Sequence, residues 1–357
     1  MFTVTANFHA RIIMNCSPGY NAQVEENLIS KSAETWCRTA LNLTPAHSLQ
    51  FDALRVEASH RSFYRLKSAE LPQTLVLMLS PPALENNDQF LRLATVFGNH
   101  GLPVPKVISS NLNKGFFLMQ DLGSQHLQEV YGTAAQEQSL TAAIEALVLL
   151  SAVQDPAIPA YTAERLATEL ELFEEWFVQK FLQQQLDSAA FQKTCVQLVE
   201  SAEQQPKSCV HRDYHCRNLL YQNNLLGIVD FQDALQGPAL YDIASLLRDC
   251  YHTFDEAEID QWLHFYVRLT PALETLPYAQ VKRWFDFMAV QRQLKAIGIF
   301  ARLHLRDSKS SHLPEIRPLL LRLLDLTAQY RDLENLNTQL KQVHAWAQNH
   351  PALALKP

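Results

Sequence analysis

Cys209-Val210-His211-Arg212-Asp213-Tyr214-His215-Cys216-Arg217-Asn218-Leu219-Leu220, followed by Gly227-Ile228-Val229-Asp230-Phe231-Gln232-Asp233, is the stretch from which the rest of the chain is read. It carries carboxylates and a carboxamide on short loops between apolar, strand-like runs. Leu219 to Tyr221 predicts one strand, Asn223-Asn224 a turn, and Leu225 to Val229 the returning strand. Such a hairpin holds Asp213 and Asn218 on one side and Asp230 at the end of its second strand. Phosphoryl transfer needs that set of oxygens. One carboxylate accepts the proton of an attacking hydroxyl, while another carboxylate and an amide oxygen hold Mg²⁺ against nucleotide phosphates. Taken singly, a helix-capping Asp, a turn Asn and a strand-end Asp would explain these residues. Their coincidence favours a kinase.

The 357 residues suffice for two domains or one bilobal fold with an ample core. An apolar share of 47% and a charged share of 19% are ordinary for a soluble globular protein. With 30 basic against 37 acidic residues the formal charge is −7, and no long basic run points to nucleic acid. Cys16, Cys37, Cys195, Cys209, Cys216 and Cys250 show neither C-x-x-C spacing nor a paired cluster, which fits a reducing compartment better than a disulfide framework. Cys216, inside the loop, reads as a small space-filling residue. Residues 1–15 carry only Arg11 and lack the charged-then-apolar form of a signal peptide. No run nears the ~18 consecutive apolar residues of a membrane span. The expectation is a cytoplasmic monomer whose partners are small molecules, with no membrane or nucleic-acid partner.

Residues 1–20 have no clear period and end in the turn signal Ser17-Pro18-Gly19-Tyr20, which marks a peripheral extension. Asn21 to Ala40 is loosely helical. Three strand-like segments follow (Gln50 to Glu57, Phe63 to Lys67, Thr74 to Leu79), then a helix over Asn86 to His100 with Phe90, Leu93, Ala94 and Phe97 at i, i+3, i+4 and i+7. Lys106 to Ser109 and Gly115 to Met119 predict two further strands. Gln120-Asp121-Leu122-Gly123 is a plausible hinge whose backbone N–H and C=O groups offer edges to an adenine. Beyond it the periodicity predicts helices over Ala134 to Val153, Ala163 to Leu186, Ser188 to Gln204, Leu240 to Tyr251, Glu256 to Leu269 and Tyr278 to Leu305. Ile316 to Gln348 is a further helical stretch with breaks. The fold class is α+β: a bilobal protein-kinase-like fold with a small five-stranded β N-lobe carrying one helix and a larger, mainly helical C-lobe. The expected division is an extension at 1–20, a nucleotide-binding N-lobe at 21–122 and a catalytic and substrate-binding C-lobe at 123–357.

His211-Arg212-Asp213 with Asn218 matches the H-x-D-x-x-x-x-N catalytic loop of the aminoglycoside phosphotransferase-like (APH/choline kinase) family, which the chain resembles. Asp230 stands where that family places a metal-binding aspartate, and Tyr241-Asp242-Ile243-Ala244 matches its Y-D-[LI]-A element. Protein kinases share the first two features, but Gln232 replaces the glycine of their D-F-G and no A-P-E segment follows. A closer resemblance, over roughly residues 25–330, is to the bacterial anomeric kinases of N-acetylmuramate and N-acetylglucosamine. It rests on Ser62-Phe63-Tyr64-Arg65-Leu66, Leu75-Val76-Leu77-Met78, Val229-Asp230-Phe231-Gln232-Asp233-Ala234, Gly237-Pro238, and Gln291-Arg292-Gln293-Leu294-Lys295 running on to Leu303. That resemblance implies phosphorylation of the sugar's C1 hydroxyl in cell-wall recycling, with ATP and Mg²⁺ as cofactors.

Two departures stand out. The phosphate-covering loop is Ala58-Ser59-His60-Arg61-Ser62, without G-x-G-x-x-G, and Met78 stands where the V-A-I-K lysine would be. Arg65 or Lys67 on the preceding strand can supply that charge. Ser62, Arg65, Gln120 and Leu122 are thus the expected nucleotide-binding residues. Asp213 is the expected base, and Arg217 beside it meets the transferred phosphoryl group or the substrate, or else pairs with a neighbouring carboxylate. Asn218 and Asp230 are the expected Mg²⁺ ligands. His211 is expected to orient the loop, and Asp242 to cap and brace it. Asp233 reaches a metal or the sugar, or else caps its loop. Arg292, Lys295 and Arg302 fall near one helical face, which either binds the lactyl carboxylate of N-acetylmuramate or is merely solvated. The rival readings are a kinase of another acceptor (an aminoglycoside, a choline-like alcohol, another sugar) and a nucleotide-binding pseudokinase scaffold.

Overall fold

Leu75-Val76-Leu77-Met78-Leu79 is apolar at every position, the pattern of a strand covered on both faces. The computed structural model describes residues 29–54 and 60–354 and divides the chain into two units, residues 1–45 and 46–357. In the first, α1 (Lys31–Ala40) begins at Ser30, whose hydroxyl accepts the Ala33 N–H at 3.2 Å. The expected extension and the start of the helix expected from Asn21 lie outside the described residues, as does the end of the first expected strand at residues 55–59.

The second unit opens with the expected βββαββ order. Strands β1 (Gln50–Leu54), β2 (Ser62–Lys67), β3 (Leu75–Leu79), β4 (Val107–Asn111) and β5 (Phe116–Gln120) form one antiparallel sheet in the order β1-β2-β3-β5-β4. Helix α2 (Asn87–Asn99) enters between β3 and β4. Met78 lies opposite Phe117 and is fully buried. Val76, Met78, Phe117 and Met119 join Phe90, Leu93 and Phe97 of α2 in one apolar core. An ammonium at position 78 would be buried in hydrocarbon without a partner, at high cost.

The remainder is helical: α3 (Leu127–Val130), α4 (Gln136–Ser151), α5 (Ala163–Leu172), α6 (Ser188–Glu203), α7 (Tyr241–Leu247), α8 (Glu256–Leu269), α9 (Pro271–Glu274), α10 (Tyr278–Asp307), α11 (Ile316–Thr327) and α12 (Glu334–Gln348). Between α6 and α7, β6 (Lys207–Val210) pairs with β9 (Leu235–Pro238), and β7 (Leu219–Gln222) forms the expected hairpin with β8 (Leu225–Ile228). The β6–β9 pair has no counterpart in the sequence reading, since four-residue strands 25 or more positions apart leave no local alternation to detect. The helix expected to run to Leu186 turns π-helical over Phe173–Phe181, and the one expected to reach Tyr251 ends at Leu247. Asp255 and Glu258 start α8 with a reciprocal capping box, at 2.8 and 3.2 Å. Phe231, beside Asp230, stacks on Phe90 with ring centroids 5.3 Å apart and meets Phe97 edge-on at 5.7 Å, tying the loop after the hairpin to α2.

The long helix α10 crosses the junction of α5 and the π-helical segment at Gly298. A Cβ there would lie 2.4 Å from the Leu172 carbonyl carbon and 2.5 Å from its oxygen, both backbone atoms that cannot swing aside. Alanine gains about 1 kcal/mol over glycine in helix propensity, but overpacking against backbone costs about 1–3 kcal/mol. We expect Gly298→Ala to lower Tm in calorimetry; an unchanged or raised Tm would mean that the two helices can separate freely.

Candidate active site

Strand β6 delivers the chain into a loop that is strained and braced. Arg212 (φ +79°) and Asp230 (φ +64°) both take left-handed backbone conformations that are uncommon for residues with a side chain. Asp242, 2% exposed, accepts the His211 N–H at 2.5 Å on one carboxylate oxygen and the Arg212 N–H at 2.9 Å on the other. Burial pushes its carboxyl up, resisted by His211 and by these bonds. Asp242 lies inside α7, so it braces the loop and does not cap the helix. Asp249 does the same at the loop's far side, accepting the Cys216 and Tyr251 N–H groups at 2.9 Å each. His211 orients the loop as expected. With its proton on Nε2 it donates to the Val229 carbonyl at 3.0 Å, while Nδ1 accepts the Asp213 N–H at 3.3 Å.

The Asp213 carboxylate accepts no hydrogen bond among the described residues and faces cations. Burial alone would raise it, but Lys295, His215, Arg292 and Arg212 hold it well below the usual carboxylate range. Arg292 likewise has no hydrogen-bond partner among the described residues; its guanidinium lies 4.9 Å from the Tyr241 ring centroid and its Nε is buried. Lys295 is 6% exposed and reaches Glu169 at 3.2 Å and the Tyr241 hydroxyl at 3.1 Å. Arg302, ~15 Å along the helix axis from Arg292, sits with Arg306, Asp307 and Glu175, so the three cations read as one face divide into a pair near Asp213 and a separate residue. His215 also turns toward Asp213; its Nδ1 is buried without a partner, and burial pushes its pKa down.

The Asn218 amide donates to the Asp213 carbonyl at 3.0 Å and stands 3.5 Å from Asp230 Oδ2, while the Gln232 amide donates to Asp230 Oδ1 at 2.8 Å. Asp233 lies in an exposed turn and makes no side-chain hydrogen bond or ion pair among the described residues. Arg217 donates to Gln128 at 3.0 Å, approaches Glu315 at 3.6 Å and lies 3.6 Å over the Tyr251 ring. Cys216 is a buried free thiol pushed up by burial, as its space-filling reading implies.

Of the expected nucleotide residues, Arg65, Gln120 and Leu122 line one cleft of about 380 Å³ together with Thr74 and Asp121. Ser62 is not among them; it is exposed at the start of β2. Arg65 is committed to the protein itself: it donates to Asp121 at 2.6 and 3.0 Å and to the Gly123 carbonyl at 3.0 Å. Thr74 and the Gly123 N–H complete the shell of Asp121 at 2.6 and 3.0 Å, and Arg65 with them brings this buried carboxyl below its ordinary value against the effect of burial. Lys67 pairs with Asp52 at the exposed sheet edge. Arg61 is buried between Glu85, at 3.0 Å, and Ser80, at 3.3 Å. Both charges weighed as substitutes for the missing lysine, Arg65 and Lys67, are therefore paired with carboxylates.

Residues 51–276 match the Phosphotransferase enzyme family, APH. The chain belongs to that family. Members are phosphotransferases, and this protein is accordingly a kinase of the APH family. It is 34% identical over 282 residues, 77% of this chain and 82% of the other, to a Pseudomonas aeruginosa protein named N-acetylmuramate/N-acetylglucosamine kinase. A Pseudomonas putida protein of the same name is 32% identical over 85% of this chain and 90% of its own length. In shape the chain is similar to a choline/ethanolamine kinase family protein from Mesorhizobium loti, with a TM-score of 0.59, 14% identity, and 88% and 99% of the two chains covered. The APH fold is thus the protein-kinase-like one expected.

Glu169, Tyr161 and Asp249 had no place in the sequence reading. Asp249 lies just past the end of α7 in irregular chain, where no sequence period marks it. Because Asp242 satisfies two buried N–H groups, Asp242→Ala should cost about 1–3 kcal/mol in stability and more than tenfold in kcat, measured by thermal melting and turnover. Unchanged kcat would show that the loop holds its shape without this carboxylate.

Proposed function

We propose that this APH-family enzyme transfers the γ-phosphoryl group of ATP to the anomeric hydroxyl of N-acetylmuramate and N-acetylglucosamine, in cell-wall recycling in the cytoplasm. The observation that carries the reading is the unpartnered Asp213 carboxylate facing Lys295 and the unpaired Arg292 guanidinium. A cationic acceptor such as an aminoglycoside or a choline-like alcohol calls for acidic residues around the hydroxyl. Here the groups nearest the base are positive, which suits an acceptor bearing a carboxylate. The names of the two Pseudomonas relatives support the same choice.

In this reading Asp213 accepts the hydroxyl proton as the sugar oxygen attacks phosphorus. An anomeric hydroxyl is more acidic than an ordinary alcohol, so a weak, fully ionised base suffices and placement matters more. The Asn218 amide oxygen and Asp230 Oδ2 would hold Mg²⁺. Gln232 occupies the other oxygen of Asp230, and an amide with one carboxylate oxygen is the sparse, hard donor set that Mg²⁺ accepts when waters and phosphates fill its shell. Bound there, the ion would neutralise charge on the nucleotide phosphates. The hinge backbone at Gln120 and Leu122 would take the adenine. Arg65, held by Asp121, would position that hinge and leave the phosphates to other groups.

Turnover of MgATP against N-acetylmuramate, N-acetylglucosamine, kanamycin and choline tests the proposal, with Asp213→Asn as control. Phosphate should appear on the anomeric carbon and vanish in the variant. Turnover of kanamycin or choline alone, or ATP binding without turnover, would overturn it. Arg292→Met should raise KM for N-acetylmuramate about tenfold or more relative to N-acetylglucosamine, the size of a lost charge-assisted bond. Equal changes for both sugars would remove Arg292 from carboxylate recognition.

A further inference from the structure

Glu169 lies on α5, 43 residues before Arg212, yet its carboxylate sits directly behind the catalytic loop. One oxygen accepts from Arg212 at 2.5 Å; the other meets Lys295 at 3.2 Å and the Tyr161 hydroxyl. Tyr161 lies 3.2 Å from the Tyr241 hydroxyl, which in turn accepts from Lys295 at 3.1 Å. Glu169, Lys295, Tyr241 and Tyr161 thus form a closed ring of polar contacts, and all four residues are buried. An ammonium has three donors. The ring takes two, Glu169 and Tyr241, and leaves one.

Resting on the kinase reading above, we propose that Glu169 is a positioning residue: with the Tyr241 hydroxyl it fixes the Lys295 ammonium so that its third N–H serves the transferring phosphoryl group beside Asp213. A purely structural account of the ring is weak. Four cations, Arg165 (3.9 Å from Glu169), Arg212, Arg292 and Lys295, face the two carboxylates Glu169 and Asp213, so the cluster carries surplus positive charge, and a buried ion pair seldom outdoes an apolar replacement in stability. The surplus lies next to the base, where a phosphoryl group gains negative charge in transfer. Among the described residues near the missing lysine, Arg61, Arg65 and Lys67 are each matched by a carboxylate.

The charged groups around Lys295 set the sign of the test. Burial works to lower its pKa, Tyr241, Glu169 and Asp213 outweigh that, and Arg212 opposes them; the net result is a raised value. Activity that needs the protonated ammonium is then lost only as pH rises through that raised value. Glu169→Gln removes one of the groups raising it while keeping the side chain's shape, so the loss should come at lower pH.

The experiment is kcat and KM across the neutral-to-alkaline range, with MgATP and whichever acceptor the wild-type enzyme turns over, for wild type, Glu169→Gln and Glu169→Gln/Lys295→Arg. ATP binding is measured by calorimetry alongside. We expect Glu169→Gln to lower kcat about tenfold or more with ATP affinity unchanged, and to move the alkaline limb down by about one pH unit or more. Arginine at 295, which stays charged, should abolish that alkaline shift. A wild-type enzyme that turns over no acceptor sinks the kinase reading itself, and the inference with it. An active wild type whose Glu169→Gln variant keeps its kcat and alkaline limb overturns only the role of Glu169. Should Glu169→Gln fail to melt cooperatively, Tyr241→Phe removes one hydroxyl contact to Lys295, and an unchanged kcat there overturns the proposal equally.

Discussion

Asp242 holds the His211 and Arg212 N–H groups with its two carboxylate oxygens, 2% exposed, and the geometry of the whole site hangs on that clamp. Left-handed backbone at Arg212 and Asp230 stores about 1–3 kcal/mol at each position, and such conformations persist only when neighbours over-determine them. Asp242 fixes the loop's entrance, Asp249 its middle through the Cys216 N–H, and His211 joins both to the strand end at Val229. Asp213 and Asn218 have little backbone freedom left. The clamp and the strain need each other: without the strained turn, the buried carboxylate would lack the two donors that offset its desolvation.

A second constraint is the apolar interior of the sheet. Met78 belongs to the core that joins β3 and β5 to α2, and Phe231 extends that core to the residue beside Asp230. The packing that anchors the backbone beside Asp230 therefore leaves no room for an ammonium on β3. Positive charge is found instead on α10, at Arg292 and Lys295, and on the catalytic loop at Arg212. Gly298 lets α10 come against the α5 junction, and α5 carries the Glu169 that holds Lys295.

The parts legible in the sequence were those written locally. The hairpin with Asn223-Asn224 at its turn, the βββαββ order and the spacing of Asp213, Asn218 and Asp230 follow from neighbours along the chain. The Asp242 brace was also expected from Tyr241-Asp242-Ile243-Ala244, whereas the amide of Gln232 on Asp230 was not. Partners were not legible. Arg65 reads as a cation, but its register beside Thr74 and the hinge, which gives it to Asp121, exists only once β2, β3 and β5 are aligned. Glu169 looks like any acidic residue of an amphipathic helix, and only the α5–α10 crossing brings it to Lys295. The π-helical widening over Phe173–Phe181 has no period of its own to read.

The cations that hold Asp213 ionised also make it a weaker base, and the same charges would stabilise a phosphoryl group in flight. Those effects oppose each other only if proton transfer limits the reaction. In a loose transition state the attacking oxygen has bonded little to phosphorus, so its proton is lost late and a strong base gains little. Charge on the transferring group, in contrast, is present throughout. For an acceptor with an acidic hydroxyl the balance falls further toward electrostatics, since that proton leaves readily. On the proposed role of Asp213 as base, a site that surrounds it with Lys295, Arg292 and Arg212 favours that side of the trade and would serve an ordinary alcohol less well.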